Sequence, residues 1–219
     1  MRRTFFSLLV LTLLAVGISG TSFAAYSINN ETDPSLIGST LVDFESGPVG
    51  TFVTQSFGGL TITAVNSLYA PNATFSVDSD YAGQYNTRGL YHITNYGNEF
   101  QSLQFNFAAP VSAFGFLFGA SDSTWTLTAF NGGGPLGSYT IPQTYDSNAG
   151  DFFGLAGLPG ATYATLIQNQ DGIYSSGGVD YVFVDNFRYA SAPVPLPGAL
   201  LLFGPGLVGL AAVRRRFKK

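Results

Sequence analysis

From Leu103 to Phe130 apolar and polar residues alternate with a period of two, and this alternation constrains the fold more than any other feature of the chain. Leu103, Phe105 and Phe107 alternate with Gln104 and Asn106. After Pro110, Phe114, Phe116 and Phe118 share one face, and then Trp125, Leu127 and Ala129 alternate with Thr124, Thr126 and Thr128. Successive side chains of a strand point to opposite faces, so the three runs predict three strands with one buried face each. The Asn131-Gly132-Gly133-Gly134 run predicts a hairpin turn that returns the chain through Leu136 to Ile141. No helix with a basic residue follows those glycines, so they read as a turn and not as a phosphate-binding loop.

The same signal recurs on either side. Residues 26 to 40 are polar and punctuated by proline, and read as a leader that adds an edge strand. Thr40 to Phe44, Gly50 to Phe57 and, after the Gly58-Gly59 turn, Leu60 to Val65 predict strands; so do Ala73 to Val77 and Gly89 to Thr94 within the irregular region 66 to 99. Phe152 to Leu155, Ala161 to Ile167 and Gly178 to Tyr189 supply the remainder. No stretch between 25 and 192 carries a helical apolar stripe with capping signals. Short strands separated by turn signals indicate an all-β fold, an antiparallel, jelly-roll-like β-sandwich.

Both ends depart from this pattern. Arg2 and Arg3 precede an apolar run from Phe5 to Ile18, and Ser22-Phe23-Ala24 is a small-x-small exit, so residues 1–24 read as a signal peptide cleaved between Ala24 and Ala25. At the other end, residues 193–219 contain a proline-rich break, 18 uncharged positions from Leu196 to Val213, and a basic cluster of Arg214, Arg215, Arg216, Lys218 and Lys219. At about 1.5 Å per residue the apolar run makes a helix of roughly 27 Å, enough for a hydrocarbon core. The basic cluster then stays on the cytoplasmic side, and residues 25–192 form an ectodomain on the other. Pro205 between Gly204 and Gly206 kinks such a helix, which leaves a permanent anchor and a processed one both open.

The order Val194-Pro195-Leu196-Pro197, short Leu/Gly/Ala helix, then Arg214-Arg215-Arg216 resembles the PEP-CTERM sorting signal of exopolysaccharide-producing Gram-negative bacteria, with Pro195-Leu196-Pro197 standing where that family usually has Pro-Glu-Pro. The resemblance implies processing at the proline motif by an exosortase-type membrane protease. It implies an inner-membrane-anchored precursor and then a place at the cell surface or in the extracellular matrix, among exopolysaccharide or biofilm.

Removing both targeting segments changes the electrostatics. Of nine Lys and Arg only Arg88 and Arg188 lie in the ectodomain, against all 13 acidic residues, for a formal charge of −11. Such a domain is repelled by nucleic acid and by anionic lipid. Cysteine is absent, so apolar burial by 15 Phe, 12 Tyr and Trp125 has to do what disulfides do in many exported domains. That aromatic content also argues against disorder.

Catalysis finds little support. His92 is the sole histidine, in a strand-like Leu90-Tyr91-His92-Ile93 run, and neither a Gly-x-Ser-x-Gly elbow nor a His-Glu-x-x-His pair occurs. Among 13 acids some pair always exists, so carboxylates alone do not indicate a glycosidase. Calcium takes hard oxygen ligands; Asp43 and Glu45, two apart in a predicted strand, would share a face, and Asp185 has the parity of Phe183 and Phe187. Asp185 alternatively caps a turn or pairs with Arg188. Asp78-Ser79-Asp80 has ligand-like spacing but no following loop with a terminal Glu, and reads as a solvated turn. Tyr69, Tyr81, Tyr85, Tyr91 and Tyr96, with Asn86 and Asn95 nearby, suit stacking on sugar rings, or equally the covering of sheet edges.

Asp43-Phe44-Glu45, the Phe-rich pair leading into Trp125, Phe152-Phe153-Gly154-Leu155 and Val184-Asp185-Asn186-Phe187 follow an order similar to the jelly-roll domains of sorted surface proteins, which are in turn similar to lectin-like and carbohydrate-binding modules. This resemblance implies a structural calcium held by Glu45 and Asp185. The expectation is a non-catalytic exported surface protein associated with polysaccharide. The alternatives are a carbohydrate-binding module with a defined sugar site, centred on Tyr81, Tyr85 and Tyr91, and a secreted hydrolase.

Overall fold

The structure is a computed structural model that describes residues 24–65, 73–78, 88–93, 102–144, 151–169 and 181–193, with backbone only at 92, 93 and 181. The segment expected to be a signal peptide, up to residue 23, the expected sorting motif Val194, Pro195, Leu196, Pro197, Arg214, Arg215 and Arg216, and Tyr81 and Tyr85 lie outside the described residues. Within them the chain is all-β and antiparallel. The strands are β1 (Tyr26–Ile28), β2 (Thr40–Val42), β3 (Gly50–Phe52), β4 (Thr54–Phe57), β5 (Leu60–Ala64), β6 (Phe75–Asp78), β7 (Gly89–Ile93), β8 (Ser102–Gly119), β9 (Trp125–Asn131), β10 (Gly134–Ile141), β11 (Phe152–Gln168) and β12 (Tyr181–Ser191). Among the described residues no helix is long and apolar enough to cross a membrane.

Hydrogen bonds join all twelve strands into one network, which two long strands fold over on itself. The first half of β8 pairs with β5 up to Phe107, and its second half pairs with β12 from Val111 onward. Likewise β11 pairs with β8 through Ala156 and resumes at Ala161 before taking β9 as its second neighbour. The result is two facing leaves. The first runs β10-β9-β11-β8-β5-β4; the second runs β1-β11-β8-β12-β7-β6-β3, with β2 beside β7 on the free edge of β12.

The sequence reads Pro110 as a break between two strands, and likewise the Gly157–Gly160 stretch. Instead each is a bend inside one strand. Proline lacks the N–H a ladder needs, but Ala108, Ala109 and Pro110 are exposed where β8 changes partners, so no ladder bond is forfeited, and the Pro110 carbonyl accepts the N–H of Ala192 at 2.8 Å. In β11 the bend uses Gly157 (φ 70°) and Gly160 (φ 106°), left-handed values that cost other residues more.

The facing surfaces interdigitate as phenylalanines. Phe105 and Phe107 of the first leaf meet Phe114, Phe116 and Phe187 of the second, with ring centroids 4.9 Å apart for Phe105–Phe187 and 5.3 Å for Phe107–Phe114. Trp125, fully buried, packs edge-on against Phe118 at 5.9 Å and donates its indole N–H to Ser121 Oγ at 2.6 Å. The leader does more than add an edge strand: Ile28 and Leu36 join Ala113, Phe152 and Ala156 in a smaller core on the outer side of the second leaf. Ala24 is exposed and Ala25 is half-buried.

Candidate functional site

The outer side of the first leaf consists of the polar half of the alternation. Antiparallel registry aligns Ser138, Thr128, Thr165, Gln104, Thr63 and Thr54 in one row across all six strands. A parallel row holds Phe130, Tyr163, Asn106, Thr61 and Ser56, and a third Thr140, Thr126, Ile167 and Ser102. Leu127, Leu166, Leu103 and Ile62, which alternate with these residues, are fully buried, so the rows face away from the core. No charged residue occurs in these strands, although residues 25–192 carry a formal charge of −11.

Hydroxyl contacts between strands and an amide contact within β8 hold the rows in place. Thr128 and Ser138 share a hydrogen bond of 2.9 Å, Ser56 and Thr61 one of 2.8 Å, and Gln104 Nε2 donates to Asn106 Oδ1 at 2.7 Å. The Thr165 hydroxyl, buried at the centre of the row, has no hydrogen-bond partner among the described residues. Beside it Phe130 and Tyr163 lie directly opposite each other and stack with centroids 4.8 Å apart and planes 5° from parallel. Both are half-buried, which leaves part of a flat aromatic surface at one end of an uncharged polar field.

The second arrangement is the acidic corner of the second leaf. The sequence places Asp43 and Glu45 in a strand with both side chains on one face; instead β2 ends at Val42, and Phe44 takes a left-handed φ of 57° that buries its ring. Asp43 Oδ1 accepts the N–H of Glu45 at 3.2 Å, closing a turn. Glu45 Oε1 accepts the N–H of Arg88 at 3.0 Å, and the Arg88 guanidinium donates to the Glu45 carbonyl at 2.9 Å.

Asp185 has the parity of Phe183, as expected, but not that of Phe187. A bulge between Asp185 and Arg188 interrupts the ladder with β8, with Asn186 at φ 47°, so Val182 and Val184 precede it in the core and Phe187 re-enters the core after it. Asp185 therefore lies on the outer side of the leaf, opposite Leu117 and over Gly89, and is 3% exposed. Desolvation pushes its carboxyl up to about 7; the bond from Asn186 opposes that, and the charges of Glu45 and Asp43 add to it. Arg188 turns to Glu31 at 3.5 Å. Among the described residues no three acidic or histidine side chains converge on a point that would hold a metal ion, so Asp43, Glu45 and Asp185 share an electrostatic neighbourhood without forming a coordination shell.

Tyr91, from the expected sugar-stacking group, packs its ring on Phe183 on the outer side of the second leaf, with centroids 5.7 Å apart. It is therefore remote in the topology from the uncharged rows of the first leaf. Sequence reasoning missed those rows because it used the alternation only for its apolar half. The signal was present in the lack of charge from Ser102 to Ile141, broken by Asp122 alone, and in the Thr124, Thr126, Thr128 spacing.

No family model matches the chain, and no curated protein does. Several solved structures share features of the fold. A family 29 carbohydrate-binding module is 9% identical with a TM-score of 0.42, over 72% of this chain and 99% of its own. A cleaved adhesin domain of Lys-gingipain from Porphyromonas gingivalis is 12% identical with a TM-score of 0.42, over 71% and 99%. The enzymatically active domain of a tailspike protein of bacteriophage CBA120 is 15% identical with a TM-score of 0.40; the match covers 60% of this chain and 19% of the tailspike domain. Likenesses at these scores assign neither family nor ligand.

Proposed function

We propose that this chain is an exported, non-catalytic glycan-binding domain of jelly-roll-like architecture, displayed at the cell surface or in the extracellular matrix. The observation that carries the reading is the six-strand, uncharged hydroxyl and amide face with the stacked Phe130–Tyr163 pair at its end. Sugars present hydroxyls that exchange hydrogen bonds with such groups, and apolar ring faces that stack on aromatics. The terminal segments support export: the signal-like start with its Ala24–Ala25 junction, and the tail with Val194-Pro195-Leu196-Pro197, apolar run and arginines. On this reading an exosortase-type protease processes the tail, and extracellular polysaccharide is the partner outside the cell.

Two measurements test it. A glycan array probed with the full-length chain in a sugar-free detergent should show saturable binding, and silence across the array would refute the glycan reading. Mass spectrometry of the exported protein should find no peptide that runs through Pro197 to Arg214. An intact tail on surface or secreted material would refute processing.

A further inference from the structure

The residues that form the outer face of the first leaf also say what kind of glycan it fits. Resting on the glycan-binding reading, we infer that the ligand is a neutral, extended polysaccharide chain that lies across the strands along the Ser138–Thr54 row and is gripped internally, not by its end.

Charge is the first argument. The face offers no cation to pair with a uronate, sulfate or phosphate group, and the domain around it is strongly acidic. An anionic chain would be drawn into a repulsive field without an ion pair to offset its desolvation. A neutral chain meets hydroxyls and amides of its own kind.

Shape is the second. The row crosses six strands with an aligned polar side chain on each, and five gaps of about 4.8 Å give it a length of roughly 24 Å. That is a track for several sugar residues in succession, unlike a pocket for one terminal sugar. The contacts Thr128–Ser138, Ser56–Thr61 and Thr54–Thr63 fix the hydroxyls before any ligand arrives, so less side-chain freedom is lost on binding. The Phe130–Tyr163 stack stands one residue pair to the side of the row, where a ring face of the chain can rest on it.

Affinity electrophoresis of the full-length chain, in a sugar-free detergent, against mixed-linkage β-glucan, xyloglucan, galactomannan and alginate tests the inference, with calorimetry on neutral oligosaccharides of two to six sugars. Retardation by at least one neutral polymer and not by alginate is expected, with affinity rising stepwise with oligosaccharide length. Tyr163→Ala and Thr128→Asp should each weaken binding at least tenfold, whereas Tyr26→Ala, on the exposed edge of the second leaf, should not. Thermal melts establish that each variant is folded, and Gln104→Ala, a milder change in the same row, gives a second reading should Thr128→Asp fail to fold. Equal retardation by alginate, or an affinity already complete with a disaccharide, overturns the inference while glycan binding stands. So does neutral-glycan binding that survives both face variants. Absence of binding to every glycan refutes the broader reading as well.

Discussion

Asp185 accepts the N–H of Asn186 through Oδ1 at 2.7 Å, and that bond sits inside the bulge that turns one acidic side chain out of the strand pattern and returns Phe187 to the core. Asn186 supports the turn with a left-handed backbone, a conformation asparagine tolerates better than most residues. The carboxyl so placed is buried, and it has Glu45 and Asp43 as electrostatic neighbours.

A pH dependence follows from this burial. The carboxyl titrates near 7 in the fold against 3.8 ordinarily, so between those values the folded chain holds a proton that the unfolded chain has released. The contribution of Asp185 is full below about pH 4 and is lost as the pH rises toward 7. With about 1.4 kcal/mol per unit, the loss reaches at most roughly 4 kcal/mol. Asp185→Asn keeps an acceptor for the Asn186 N–H and removes the titration. Its melting temperature should match that of the parent near pH 4 and exceed it at pH 8. Parallel melting curves across that range would show that Asp185 ionises normally in the fold.

Phe187 is where the two leaves are most tightly joined. Its ring lies 4.9 Å from Phe105 of the first leaf and 5.4 Å from Phe116 of the second, nearly parallel to the latter at 17°. Truncation removes contacts to both leaves at once and leaves a cavity that β8 and β12, paired on each side of the bulge, cannot close. Phe187→Ala should lower unfolding stability by about 3–5 kcal/mol, near the upper end for core truncations. Chemical denaturation would measure it, and a loss under 1 kcal/mol would mean that the leaves do not depend on this ring.

The strands were legible where alternation was strict and burial one-sided: Leu103 to Phe107, Phe114 to Phe118 and Trp125 to Ala129 all fall in strands, with the apolar members in the core. What the sequence hid were changes of partner and of parity. Pro110 and Gly157 look like terminators because local rules treat proline and glycine as punctuation, yet the bonds on both sides of each belong to the same strand. Phe44 and Asn186 reverse the local direction by a single left-handed residue, and no periodicity registers one residue. Both errors fell on the acidic corner, so Asp43, Glu45 and Asp185 were placed in the wrong relation to the sheet. The uncharged face needed the registry of six strands, which pairs residues as distant in sequence as Thr54 and Ser138 into one row.

Gly154 tests the close approach of β11 and β8. It lies opposite Gly115, and a β-carbon added to it would run into the Phe114 carbonyl and come within 2.6 Å of the Gly115 Cα, both backbone atoms of a paired strand. Backbone in the middle of a ladder cannot step aside as a side-chain tip can. Gly154→Ala should therefore cost about 1–3 kcal/mol despite the higher strand propensity of alanine. The control is Gly132→Ala, where the added carbon meets nothing within 4 Å; it should be near neutral. Equal effects at the two positions would argue that strand pairing at Gly115 is looser than the structure has it.

The acidic corner also makes a prediction about cations. Glu45 Oε1 is engaged by the Arg88 N–H, Asp43 Oδ1 by the Glu45 N–H and Asp185 Oδ1 by the Asn186 N–H, and the described residues bring no three such groups to one point. A calcium ion takes six to eight oxygens at 2.3–2.6 Å, and of the six that these three carboxylates carry, one on each is already held by a backbone N–H. What calcium and sodium both do is screen the mutual repulsion of the acidic residues in 25–192, a stretch with a formal charge of −11, and at equal ionic strength they do so to a similar extent. Thermal melts of the full-length chain in chelator, in calcium and in sodium chloride of matched ionic strength should therefore give equal rises with the two salts, and Asp185→Asn should not separate them. A rise particular to calcium that Asp185→Asn abolishes would establish the site implied by the likeness to calcium-holding jelly rolls, with its remaining ligands drawn from residues outside those described.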